Sequence, residues 1–257
     1  VIASSARPLR IVQVSDCHVP QDPRTPYRGL SADRNLVSLL PAMRHWQPDL
    51  ILLTGDVSED GSPASYGRVS ARLNTVGAPV LALPGNHDNP EVMQRFFPVG
   101  PWNGPHQQKE RNWQLVLLDS TVTGEVSGEV TLQALKRLDE LLRESTASHT
   151  LVALHHQPVP MNAEWIDRYA LRRPEFLLNL LDRYPRVRCL TWGHVHQDFE
   201  ARRNGMLLLG SPSTVANSLP GTEKFALDLS GPACRWLELG LDGAVSTGVL
   251  RAGDRSP

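Results

Sequence analysis

An α/β fold with an antiparallel part added at its end is predicted by three observations. Apolar strand-like runs alternate with stretches of helical period early in the chain, and strands dominate late. Five short clusters of Asp, Asn and His each follow an apolar run: Asp16-Cys17-His18, Gly55-Asp56, Gly85-Asn86-His87-Asp88, His155-His156 and Gly193-His194-Val195-His196. A fold of this class can deliver all five to one end of a sheet.

The elements follow in order. Leu9 to Val14 is β-branched and apolar, a first strand ending at Asp16 and His18. Gln21 to Leu30, with Pro23, Pro26 and Gly29, reads as a loop. Arg34 to Trp46 carries Leu36, Val37, Leu40 and Met43 at helical period, with Pro41 expected to kink or split it. Leu50 to Leu53 suits a buried strand. Ser62-Pro63 is an N-cap followed by proline, opening a helix to about Val76. Pro79 to Leu83 is a strand, and Asn89-Pro90 opens a short helix. Residues 98 to 112 read as a loop that could serve as a lid. Gln114 to Leu118, Leu151 to Leu154 and Val187 to Trp192 are strands; Thr131 to Arg143 and Arg173 to Asp182 are helices. Met206 to Leu209, Phe225 to Leu229 and Trp236 to Leu239 are late strands.

The chain has 257 residues, and its clusters span residues 16 to 196, so a boundary between two domains would divide them. One domain, 1–257, is expected, with late strands 206–250 inside it and 251–257 a frayed tail. A net charge of −1 without a basic patch argues against electrostatic binding to nucleic acid or an anionic membrane. Three cysteines, Cys17, Cys189 and Cys234, fit no disulfide framework and favour a cytoplasmic setting. Apolar runs fall far short of the ~20 residues that span a bilayer. The start lacks the apolar stretch of a signal peptide; no Met heads it, which leaves room for missing upstream sequence.

Carboxylate, amide oxygen and imidazole are hard and borderline ligands, a set that suits two first-row metal ions side by side. Asp16 and His18, two residues apart, point the same way on an extended backbone; singly they read as a loop Asp and a surface His. Asp56 alone reads as a helix cap, but a carboxylate can bridge two ions about 3.5–4 Å apart. Asn86 offers an amide oxygen, and His87 would sit over the ions rather than on them; the bland reading is a turn. His155 and His156 face opposite ways when extended, so one is a ligand. His155 is chosen, with His156 supporting it or touching substrate. His194 and His196 can each reach a different ion. Cys17 should point away and pack. Asp88 serves a histidine or a turn. His45, His106 and His149 read as ordinary surface or helix-end residues.

The motifs Asp-x-His, Gly-Asp, Gly-Asn-His-Asp, His-His and Gly-His-x-His, in that order, resemble those of the calcineurin-like metallophosphoesterase superfamily from about Arg10 to Phe199. Thr54 to Tyr66, Glu164 to Arg172, Gly193 to Gln197 and Gly210 to Thr214 are most similar to bacterial class III cyclic 3′,5′-AMP phosphodiesterases. The resemblance implies a four-layer α/β/β/α sandwich. It implies one ion on Asp16, His18, Asp56 and His196, and another on Asp56, Asn86, His155 and His194, with Asp56 bridging. Iron and manganese, with zinc as an alternative, are the implied metals, and a homodimer is the implied assembly. His87 would assist the leaving group or hold the phosphate. Two departures stand out: Val-Ala-Asn-Ser-Leu-Pro after Thr214, in a region that borders the nucleoside pocket of related enzymes, and Gln157 where proline is common.

The function expected is hydrolysis of a small-molecule nucleotide phosphodiester, cyclic 3′,5′-AMP opened to 5′-AMP by a metal-bound hydroxide, with His87 and Asp56 catalytic and Asn86, His87 and His156 touching substrate. Alternatives keep the site and change the substrate to a glycerophosphodiester, a nucleotide pyrophosphate link or a phosphomonoester. A non-catalytic metal-binding scaffold is a further reading, opposed by the completeness of the ligand set.

Overall fold

Alternating apolar runs and amphipathic stretches assemble into two facing β-sheets with helices on their outer sides. The computed structural model describes residues 7–254; the first six residues and 255–257 of the expected tail lie outside the described residues. In chain order the elements are β1 (Leu9–Val14), α1 (Ala32–Trp46), β2 (Leu50–Thr54), α2 (Pro63–Asn74), β3 (Val80–Leu83), α3 (Pro90–Met93), β4 (His106–Glu110), β5 (Trp113–Leu117), α4 (Leu132–Glu144), β6 (His149–Ala153), α5 (Glu164–Asp167), α6 (Pro174–Asp182), β7 (Val187–Trp192), β8 (Phe199–Arg203), β9 (Met206–Gly210), β10 (Asn217–Ser218), β11 (Leu227–Asp228), β12 (Ala233–Leu239) and β13 (Val245–Arg251).

The first sheet has the order β13-β12-β1-β2-β3 and the second β4-β5-β6-β7-β9-β8. β1, β2 and β3 are parallel, as are β5, β6, β7 and β9; β12, β13, β4 and β8 run antiparallel to their neighbours. Strand alternation sorts the side chains. Leu50 and Leu52 of β2 join Ile11, Leu115, Leu151 and Leu207 in the core between the sheets. Ile51 and Leu53 face outward against Leu36 and Met43 of α1 and Val69 of α2. On the other side Val152 and Leu190 meet Leu138 of α4 and Leu177 of α6. The result is the α/β/β/α sandwich. Burial on both faces explains why β2 reads as an unbroken apolar run.

The proline-marked helix starts hold: Ser62 accepts from the Ser65 amide ahead of α2, and Asn89 from the Val92 amide ahead of α3. Several expectations need correction. Pro41 does not split α1: the helix continues through it, and Pro41 lies on its exposed side where water can satisfy the freed carbonyl. The stretch 98–112 is no simple loop or lid, because His106–Glu110 pairs with β5. Phe225 to Leu229 shrinks to the two-residue β11, paired with β10. The chain does not fray at 251: Arg251 pairs with Ala233 at the end of β13. β8, β13 and α5 were not anticipated. Parallel strands β1, β2, β3, β6 and β7 release their C-terminal ends towards one region, and every cluster follows one of them.

Candidate metal centre

The loops after these strands curl rather than extend. Asp16 (φ 52°), His18 (φ 44°), Asp56 (φ 48°), His194 (φ 66°) and His196 (φ 51°) all occupy the left-handed region, which non-glycine residues avoid. Strain gathered in this way marks a functional site. It also corrects the extended geometry expected for Asp16-x-His18 and His194-x-His196: left-handed turns, not strand alternation, bring these side chains together. Backbone bonds lock the turns, from Asp16 N to Gly55 O (3.0 Å), His18 N to Asp56 O (2.9 Å) and Gly193 N to His155 O (3.1 Å). Gly85 is required for close approach, since a Cβ there would strike Asp56 Oδ1 and the Asp56 amide and stand 2.8 Å from His155 Cε1.

The turns converge on Asp56. Its Oδ1 accepts from the His87 amide at 2.9 Å. Its Oδ2 stands 3.7 Å from His18 Nε2 and 3.4 Å from His155 Nε2, between the two rings. On one side His196 Nε2 lies 3.4 Å from Asp16 Oδ1 and 3.1 Å from His18 Nε2. On the other, Asn86 Oδ1 lies 3.3 Å from His155 Nε2. Asp16 also accepts from the His194 amide, at 3.0 Å to each carboxylate oxygen.

Three rings are aimed by their far nitrogens. Nδ1 of His18 donates to Glu59 Oε2 (2.7 Å), that of His196 to Ala216 O (2.7 Å) and that of His155 to Thr54 O (2.8 Å). Each Nε2 therefore points its lone pair into the cluster in the neutral tautomer, the arrangement metal-binding histidines adopt. His194 Nε2 is buried with no hydrogen-bond partner. Burial holds His18 below its usual range and, together with neighbouring histidines, His194 far below it, so both are neutral. His155 differs: burial opposes its charge, but the Asp56 carboxylate outweighs that and raises it to about 9. The facing Nε2 atoms of His18 and His196, an orphaned His194 nitrogen and two buried carboxylates suit cations.

His156 lies close enough to His155 and His194 to share a metal with them. Its nitrogens are already used. Nδ1 accepts from the Ser120 hydroxyl at 2.8 Å, and Nε2 donates to Val126 O at 3.0 Å. Burial and the nearby His155 push it down to about 3, which keeps it neutral. The geometry therefore favours His155 as ligand and His156 as its support. His87 stands at the mouth of the cluster with its side chain 35 % exposed. Burial lowers it, but Asp56 and Glu59 prevail and its net shift is upward. Cys17 packs in the outer core, its thiol pushed up to about 12 by burial, and takes no part.

Asp88 serves no histidine. Its carboxylate accepts from the amides of Val57, Ser58 and Gly85 and from the Tyr66 hydroxyl, tying the Asn86 loop to the Asp56 loop. Sequence reasoning missed Glu59 and Tyr27. Tyr27 stacks on His18 with ring centroids 4.1 Å apart. Glu59 had a signal, a carboxylate three residues beyond Asp56; Tyr27, in a Pro- and Gly-rich loop, had none.

The calcineurin-like phosphoesterase family matches residues 9–198. The chain is 38% identical over 250 residues to the 3′,5′-cyclic adenosine monophosphate phosphodiesterase CpdA of Pseudomonas aeruginosa, covering 95% of this chain and 90% of that protein. It is 35% identical to the CpdA of Escherichia coli, with 98% and 93% covered. A 3′,5′-cyclic-nucleotide phosphodiesterase of Nostoc is 34% identical, with 95% and 92% covered. Among solved structures, a dimetal phosphatase from Danio rerio superposes with a TM-score of 0.67 at 16% identity, over 96% of this chain and all of that one. The purple acid phosphatase PPD1 of yellow lupin gives 0.68 at 13% identity, over 95% and 52%. These two likenesses concern the fold alone. Among the described residues no helix is long and apolar enough to cross a membrane.

Proposed function

Because the chain belongs to the calcineurin-like phosphoesterase family, we propose that it hydrolyses 3′,5′-cyclic AMP to 5′-AMP at a two-cation centre. The observation that carries the reading is the position of Asp56 Oδ2 between His18 Nε2 and His155 Nε2, with His196 beyond the first and Asn86 beyond the second. One ion would be held by Asp16, His18, Asp56 and His196, the other by Asp56, Asn86, His155 and His194. Iron and manganese suit this mixture of imidazole and oxygen donors, and zinc is the alternative. Two such ions neutralise phosphate charge and make water nucleophilic at neutral pH.

The chain's own residues do the rest. The His87 amide fixes one oxygen of Asp56, which leaves the other directed at the histidines. The His87 ring, at the mouth and shifted upward by the Asp56 and Glu59 carboxylates despite its burial, can give a proton to the departing 3′-oxygen as the P–O3′ bond breaks. Asn86 and His87 border the place where the phosphate would lie, and His156 keeps His155 in position from behind. A small-molecule nucleotide suits this centre better than a nucleic acid, since a net charge of −1 offers no basic track for a polyanion. Both sheets feed the site, which supports treating the chain as one catalytic domain. Three buried free thiols accord with a reducing cytoplasm.

The test is product analysis. Protein reconstituted with Mn²⁺ is incubated with cyclic AMP and the products are separated chromatographically. 5′-AMP is expected. Formation of 3′-AMP, or no turnover of cyclic AMP while a simple aryl phosphodiester is cleaved, would overturn the substrate assignment.

A further inference from the structure

We propose that Gln13 is a positioning residue: it pins one sheet to the other directly beneath the metal centre and so fixes how the two halves of that centre meet. This rests on the two-cation reading above. The halves come from different sheets. Asp16, His18, Asp56 and Asn86 follow β1, β2 and β3 of the first sheet, and His155, His194 and His196 follow β6 and β7 of the second. Each proposed ion draws on both. One takes only His196 from the second sheet, whereas the other takes His155 and His194 from it. The centre therefore needs the sheets held in one relation. Apolar contacts between them are non-directional and tolerate sliding; hydrogen bonds are directional and do not.

Gln13 supplies such bonds where the apolar core stops. Leu9 and Ile11 of β1, Leu50 and Leu52 of β2 and Cys189 of β7 belong to the core between the sheets. Strand alternation makes Gln13, Thr54 and Thr191 the next side chains of those rows, and all three are fully buried. Gln13 Nε2 donates across to Trp192 O of β7 at 3.1 Å and, within its own sheet, to Thr54 Oγ1 at 3.0 Å. Gln13 Oε1 accepts from the Thr191 hydroxyl at 2.6 Å. One side chain grips both sheets, and its burial is tolerated because its donors and its acceptor are met. The network runs on into the centre. Thr54 Oγ1 donates to Ser15 Oγ at 2.8 Å, and Thr54 O accepts from Ser15 Oγ at 3.2 Å and from His155 Nδ1 at 2.8 Å. Asp56 follows two residues after Thr54, and His194 two residues after Trp192.

The test uses the full chain, stripped of metal and titrated with Mn²⁺, as wild type, Gln13→Met and Thr191→Val. Gln13→Met keeps the length of the side chain without its bonds. Thr191→Val removes one hydroxyl and decides the matter should the first variant not fold. Binding is read by calorimetry, the pairing of the ions by their exchange-coupled EPR signal, and metal-free stability by urea unfolding. One Mn²⁺ is expected to bind as in wild type, since Asp16, His18 and Asp56 share a sheet. The other should bind about 10–100-fold more weakly, the usual cost of losing a group that supports ligands from behind, with the larger loss in Gln13→Met. The coupled signal at two equivalents should fall accordingly. Equal weakening of both ions, lower metal-free stability with both ions bound as in wild type, or no change would each overturn the role. Failure of the underlying reading looks different: the wild type itself would bind fewer than two ions.

Discussion

Glu59 Oε2 accepts a 2.7 Å hydrogen bond from His18 Nδ1 and lies 3.3 Å from His87 Nδ1. One carboxylate thus orients a proposed ligand and steadies the proposed acid. Glu59→Gln keeps the shape and removes the charge. Metal affinity or activity should fall by about 10–100-fold, the usual cost of losing the group that orients a ligating histidine. Metal titration followed by assay checks this; an unchanged titration would remove Glu59 from the site.

The histidine pair separates cleanly. His155→Ala should leave the protein with one ion instead of two and abolish activity. His156→Ala should retain both ions and lose stability by about 1–3 kcal/mol, because Ser120 and Val126 lose a buried partner. Metal analysis of the purified variants, with urea unfolding, distinguishes them. The reverse pattern would make His156 the ligand.

Asp88 holds two loops together through three amides and a tyrosine hydroxyl. Asp88→Ala leaves these donors buried and unsatisfied, so stability should fall by at least about 3 kcal/mol, read from the midpoint shift in urea. Asp88→Asn should recover part of it. A neutral Asp88→Ala would mean the loops hold without the carboxylate.

Gly85→Ala should displace Asp56, since the added Cβ meets that residue's carboxylate and amide. A loss of about 1–3 kcal/mol is expected from overpacking, together with lower metal content. Normal metal content, measured on the folded variant, would contradict the close approach described.

The metal cluster was legible because each motif sits where a parallel strand stops, and such ends converge. Interior strands such as β2 and β7 were legible for a related reason: burial on both faces leaves an apolar run. β4, β8 and β13 escaped notice because all three are edge strands. An edge needs polar residues to discourage pairing with other chains, so His106–Glu110 reads as a loop. Pro41 misled because a local rule about helices ignores which side faces water. The left-handed turns were invisible, as Asp16, His18, Asp56, His194 and His196 are not glycines, the residues that usually occupy that region. Gln13 and Thr191 meet only through tertiary folding, which no local pattern encodes.

β1 lies between β2 and β12, and β12 is supplied by residues 233–239. The strand that leads into Asp16 therefore gains its second neighbour only once residues 233–239 have been made. A ribosome-bound fragment ending before residue 233 would hold every proposed ligand yet lack the support beneath the first of them. Catalytic competence should then wait until residues 233–239 have taken their place beside β1.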